Sequence, residues 1–161
     1  KKKSYKIYGF IFLMISFYAF YELSAEIFSV FFVILICAST DVGGYIFGKI
    51  FKGPKLTKIS PNKTYAGMIG GYFLSLVVLI IITNFVDYPE ISMQLFLISI
   101  LISTISQVGD IIVSYFKRLS KIKDTGKIIP GHGGLLDRID GMIFAFPFSY
   151  LIFSTNFFKY F

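Results

Sequence analysis

The chain has 161 residues, 55% hydrophobic, 19% aromatic and only 16% charged, with a formal net charge of +7. Soluble domains carry roughly a quarter charged residues, so the composition excludes an ordinary soluble domain and reads as an all-α, polytopic transmembrane helical bundle. Without a low-complexity linker or an internal repeat it reads as one domain over residues 1–161, and the lone Cys37 excludes an internal disulfide and offers no metal-binding spacing.

A bilayer core about 30 Å thick asks for about 20 mostly apolar residues per helix. Five runs are predicted to span it, roughly Tyr5 to Tyr21, Glu26 to Gly48, Tyr65 to Val86, Ile91 to Phe116 and Ile139 to Phe158. The KKKSYK ahead of the first is basic, but no small-residue cleavage site follows the apolar run, so no cleavable signal is expected. The second run contains STDVGGYIFGK, which sets Asp41 well inside a span. An Asp there is costly and usually faces a polar cavity, while Gly43, Gly44 and Gly48 let a helix or a ligand come close to the backbone. A small-residue packing seam is the competing explanation. Just before the third run, KISPNKTYAGMIGG places Ser60, Asn62, Lys63 and Thr64 at a helix N-terminus, a setting that favours anions. Taken by itself, this is also what a capped helix with an interfacial Lys looks like.

In the fourth run Ser99, Ser103, Ser106, Asp110, Ser114 and Lys117 recur at intervals of four, three, four, four and three, which draws one polar face of a helix. Small Ser residues suit helix packing; Asp110 and Lys117 on the same stripe favour a lined cavity. Between the fourth and fifth runs, Gly131, Gly133 and Gly134 permit a loop whose N–H groups face an anion. Asp137 and Asp140, three apart where a helix is expected to begin, would share a face and suit a divalent cation, although paired Asp at a helix start also serve as caps. Arg118, Lys121, Lys123 and Arg138 can neutralise phosphate charge. His132, taken alone, reads as structural.

Of the 16 basic residues, 15 lie before the first span or in the second-to-third and fourth-to-fifth connections, whereas the other connections hold only Glu22, Asp87 and Glu90, with Glu26 at a span edge. Short Lys- and Arg-rich loops stay cytoplasmic. The N-terminus and both basic loops are therefore expected in the cytoplasm, with the C-terminus outside.

Together these residues resemble the phosphatidate cytidylyltransferases, or CDP-diacylglycerol synthases. The family's signature is matched by Ser114, Lys117, Arg118, Lys123, Asp124, Gly126, Pro130, Gly131, His132, Gly133, Gly134, Asp137, Arg138 and Asp140. Upstream, TDVGGYIFGK resembles the family's TDxxAYxxGr, SPNKTYAGMIGG its SPKKTWEGxxGG, and SQVGDIIVS its SxxGDLxxS, so the likeness runs from about Ser39 to Asp140. Ala66 stands where the family usually has Glu, and the N-terminal spans usual in the family are missing from this sequence.

The resemblance implies cytidylyl transfer from CTP to phosphatidate in an integral protein of the bacterial inner membrane, with its active site facing the cytoplasm. It implies one or two Mg²⁺ ions held by Asp110, Asp137 and Asp140, with Asp124 a weaker candidate. Lys117, Arg118, Lys123 and Arg138 would hold the triphosphate and the lipid phosphate, and His132 would orient phosphate or shape its loop. Asp41, Ser60, Asn62, Lys63 and Thr64 would complete the nucleotide site, with Ser114, Gly133 and Gly134 beside them. The expected partners are CTP, phosphatidate and membrane lipid, with a homodimer left open and no nucleic acid. The alternatives are a CTP-dependent enzyme acting on another lipid such as a polyprenol, and an anion transporter.

Overall fold

The structure is a computed structural model that describes residues 2–57, 60, 62–85, 93–122, 124–126, 134–137 and 139–155. It contains α1 (Lys2–Leu23), α2 (Ile27–Phe51), α3 (Tyr65–Phe85), α4 (Met93–Leu119) and α5 (Met142–Ser154), with a single 3₁₀ turn at Leu135–Asp137 before α5. No strand occurs among the described residues, only an isolated antiparallel bridge between Lys55 and Thr64. Hydrocarbon offers the backbone no partner, so each apolar run closes its own hydrogen bonds as a helix. Four of these helices, α1 to α4, are long and apolar enough to cross a bilayer, as befits an integral membrane protein.

The fifth run departs from the expectation of a span over Ile139 to Phe158. α5 has 13 residues, about 20 Å at 1.5 Å per residue. Its start moves to Met142 because residues 139–141 form the turn that carries part of the site; residues 156–161 lie outside the described set. α4 instead runs three residues past its expected end. Lys121 adopts a left-handed φ of 57°. Ile122 N–H then donates to Lys117 O, and Lys121 N–H to Arg118 O, each at 3.0 Å, a pairing that closes a helix C-terminus. The extension places Lys117 in the last turn of the helix.

α2 packs against all four other helices. Its Phe32, Val33, Ile36 and Cys37 form the core with Leu79 of α3, Ile98 and Ile102 of α4, and Ala145 and Ile152 of α5. α1 docks on α5 through the ring pairs Phe12–Phe144, Tyr18–Tyr150 and Phe20–Phe146. A polar contact joins them as well. Pro147 sits inside α5 and lacks the N–H that would donate four residues back, to Ile143 O. Ser16 Oγ of α1 donates to that carbonyl at 2.7 Å instead.

α2 and α3 cross on glycine. A Cβ on Gly67 would stand 2.6 Å from Gly44 O, one on Gly43 would collide with Gly70 O, and one on Gly44 would meet Gly67 O at an ordinary 3.7 Å. This close crossing sets the N-terminus of α3, with Lys63 and Thr64, beside Asp41 of α2. Gly67→Ala should therefore force the helices apart and cost about 1–3 kcal/mol, read as a lower thermal unfolding midpoint in detergent. Gly44→Ala should leave that midpoint nearly unchanged; equal effects of the two would contradict the crossing.

Candidate functional site

A cavity of about 370 Å³ lies where the C-terminal half of α2, the N-terminus of α3, the C-terminal half of α4 and the turn before α5 converge. α2 contributes Thr40, Asp41, Gly44 and Tyr45; the α2–α3 connection contributes Leu56, Ser60, Asn62, Lys63 and Thr64. Gly67 and Met68 of α3, Gln107, Asp110 and Ile111 of α4, and Asp137 and Asp140 complete the lining.

The α2–α3 connection is folded back on itself: Leu56 N–H donates to Lys63 O at 2.7 Å, and Tyr65 N–H to Pro54 O at 3.2 Å. Thr64 Oγ1 accepts Gly67 N–H at 3.1 Å, which caps the first turn of α3. With the loop so held, the Lys63 ammonium forms an ion pair with Asp110. Ser114, one turn further along α4, donates to Asp110 Oδ1 at 3.5 Å, a weak contact at that length.

Lys117 sits between two carboxylates, with Nζ 3.0 Å from Asp137 Oδ1 and 3.4 Å from Asp140 Oδ2. Only 13% of the Lys117 side chain is exposed, and 9% and 11% of its partners'. A charge that buried requires a counter-charge. The other oxygen of Asp137 accepts N–H groups from Thr125 and Gly134, both at 2.8 Å, so this one carboxylate ties the two sides of the α4–α5 connection together. Burial opposes ionisation of Asp137, but those two backbone donors and the Lys117 ammonium outweigh it and hold its pKa at about 2. Asp140 moves the other way. Burial and then repulsion from Asp110 raise its pKa, an effect that Lys117 offsets only in part.

Several sequence expectations change in this geometry. Asp137 and Asp140 do not begin a helix: Asp137 ends the 3₁₀ turn, Asp140 precedes Met142, and α5 has no side-chain cap. They converge through Lys117 and not through a shared helical face. The serine stripe divides. Ser103 is hydrogen-bonded to Thr40 at 2.9 Å, Ser99 donates to Leu95 O at 2.8 Å, and Ser106 packs against Gly141, so these three form a packing seam and only Asp110 of the stripe lines the cavity. Arg118 and Asp124 are exposed and take no part in the lining. Gly134 is buried, and its N–H serves Asp137 in place of an anion. Lys123, His132, Gly133 and Arg138 lie outside the described residues. Tyr45 and Gln107 line the cavity and escaped the sequence reading. Gln107, one turn before Asp110 and itself a polar residue within a span, carried a usable signal.

Among the described residues no three His, Cys, Asp or Glu side chains converge closely enough to form a metal centre. The arrangement is a mixed-charge polar cavity lined by Asp41, Asp110, Asp137, Asp140 and Lys63, with Lys63 paired to Asp110 and Lys117, outside the lining, paired to Asp137 and Asp140.

The sequence model of the cytidylyltransferase family matches residues 4–156. Phosphatidate cytidylyltransferase of Staphylococcus saprophyticus is 42% identical over 135 residues, 83% of this chain and 52% of its own length. The Staphylococcus haemolyticus protein of the same name is 46% identical over 114 residues, 70% of this chain and 44% of its own. That of Staphylococcus aureus is 43% identical over 135 residues, again 83% and 52%. The chain spans about half the length of the curated relatives it matches.

Asp137→Asn should test the role of Asp137 as a tie. The amide keeps one acceptor oxygen and loses the charge, so either the two backbone donors or Lys117 must go short, at about 1–3 kcal/mol. Faster hydrogen exchange at the Thr125 and Gly134 amides is the expected outcome; unchanged protection at both would contradict it.

Proposed function

The chain belongs to the cytidylyltransferase family, and on that premise we propose that it carries the nucleotide-binding part of an enzyme that transfers a cytidylyl group from CTP to phosphatidate. The products are CDP-diacylglycerol and pyrophosphate. The observation that carries the reading is the gathering of four carboxylates and the Lys63 ammonium from four elements around one cavity at the basic end of the bundle, with Lys117 ion-paired to two of those carboxylates. The names of the staphylococcal relatives support the lipid acceptor.

An oxygen of the lipid phosphate forms a bond to the α-phosphorus of CTP while the bond from that phosphorus to the oxygen bridging to the β-phosphate breaks. Pyrophosphate leaves with the electron pair. Such a transfer needs positioning and charge compensation more than a protein nucleophile. Lys63 and the capped N-terminus of α3 offer positive charge and N–H groups to phosphate. Lys117, held by Asp137 and Asp140, adds a second cation at a fixed place. Asn62, Ser60 and Gln107 supply neutral hydrogen-bonding groups on the same lining.

Mg²⁺ is the proposed cofactor. The donors are carboxylate oxygens, the hard ligands this ion prefers, and the lining carries more carboxylates than ammonium groups. Asp110, Asp137 and Asp140 are the residues that would hold it; paired here with Lys63 and Lys117, they would have to draw together to do so. Bound there, it would offset the charge of the triphosphate. The site is proposed to face the cytoplasm of a bacterial inner membrane, where CTP is made, in keeping with the basic loops at that end.

Pyrophosphate release should require CTP, phosphatidate and Mg²⁺ together, and Asp110→Asn should lower it by about a hundredfold or more while the protein inserts and purifies normally. Release without phosphatidate, or near-normal turnover by the variant at low Mg²⁺, would overturn the assignment. For orientation, a Cys at Lys121 in a Cys37-free protein should resist a membrane-impermeant thiol reagent added from outside, and one at Ser24 should react. The reverse pattern would invert the topology.

A further inference from the structure

A second cavity, of about 250 Å³, lies between α1, α2 and α5, lined by Leu13, Phe17, Ile34, Ile139, Met142 and Phe146 among others. Ser16 also borders it, but its hydroxyl is taken up by Ile143 O at 2.7 Å and Phe12 O at 3.0 Å, and the wall is apolar throughout. Two features join it to the polar cavity. Ile139 lines the apolar cavity and its chain neighbour Asp140 the polar one, so residues 139–142 form a ridge between them, pinned where Gly141 packs on Ser106. On α2, Asp41 borders the polar cavity and Ile34 the apolar one. Seven residues separate them, which puts both on one face of the helix, about 10 Å apart along its axis.

A charged cavity and an apolar cavity on either side of one ridge suit an amphiphile. We propose that the apolar cavity holds the first part of one acyl chain of the lipid acceptor, with the lipid phosphate across the ridge beside Asp140 and Lys117; this rests on the lipid-phosphate acceptor proposed above. Phe17, in the lining, is 61% exposed. A free anion or a water-soluble acceptor would have no use for the second cavity, whereas a lipid gains from each methylene removed from water and fixed in register.

The test compares dioleoyl with dihexanoyl phosphatidate as acceptors for the purified protein and for Leu13→Trp, which fills the cavity from α1. The variant should raise KM for the dioleoyl lipid about tenfold or more, leave KM for CTP unchanged and affect the dihexanoyl lipid little. An equal change for both lipids would overturn the acyl site while leaving the transferase reading intact. Absence of turnover with either lipid in the unsubstituted protein would instead overturn the transferase reading. Should the variant fail to fold, a phosphatidate carrying a photoreactive group near the start of one chain provides a readout that needs no turnover. Labelling of Leu13, Phe17 or Phe146 that unlabelled phosphatidate suppresses and phosphatidylcholine does not is the expected result. Labelling spread over the lipid-facing surface, or suppressed equally by both lipids, would show ordinary boundary lipid and refute the proposal.

Discussion

Everything at the basic end of the bundle depends on keeping carboxylates ionised where little water reaches them. A buried charge costs several kcal/mol unless a counter-charge and hydrogen bonds meet it. Lys117 meets that requirement for Asp137 and only in part for Asp140, and Lys63 pairs with Asp110. Each lysine joins elements far apart in the chain. Lys117 ties the end of α4 to the turn before α5, and Lys63 ties the start of α3 to the middle of α4. The electrostatics of the site and the packing of the helix ends are therefore one problem, with one solution.

Glycine makes that solution reachable. The α2–α3 crossing is close enough that a Cβ on Gly43, Gly67 or Gly70 would collide with the facing helix, and this brings the N-terminus of α3 to the level of Asp41. Further into the bundle, the contacts are those of an ordinary membrane interior: Ser39, Ser75 and Ser99 donating to carbonyls about one turn back, aromatic pairs between α1 and α5, and the Ser16 hydroxyl filling the gap that Pro147 leaves. The membrane half holds the geometry, and the charged end uses it.

Much of this was legible in the sequence. Four helices were found with ends shifted by a few residues, because an apolar run of spanning length has few alternatives in hydrocarbon. Asp41, Lys63, Asp110, Asp137 and Asp140 were marked as one site, and they do line one cavity. Pairing was not legible: the sequence offers Lys117 as a phosphate ligand, and the structure pairs it with two carboxylates 20 and 23 positions away, separations that no helical period reveals. The serines above Asp110 share its stripe but face a neighbouring helix, since periodicity names a face without naming what lies opposite. The later start of α5 was hidden because Ile139 adjoins the apolar run that begins at Met142, while Asp140, paired with Lys117, and Gly141, packed on Ser106, lie in a turn.

The central proposal is that these carboxylates and ammonium groups belong to a metal-assisted nucleotide site. Direct titration of CTP into the purified protein, with and without Mg²⁺ and with no lipid acceptor, tests it without relying on turnover. The account predicts saturable binding that strengthens markedly with Mg²⁺ and that loses this Mg²⁺ dependence in Asp140→Asn. Binding of equal strength with and without Mg²⁺, unchanged by that substitution, would contradict it.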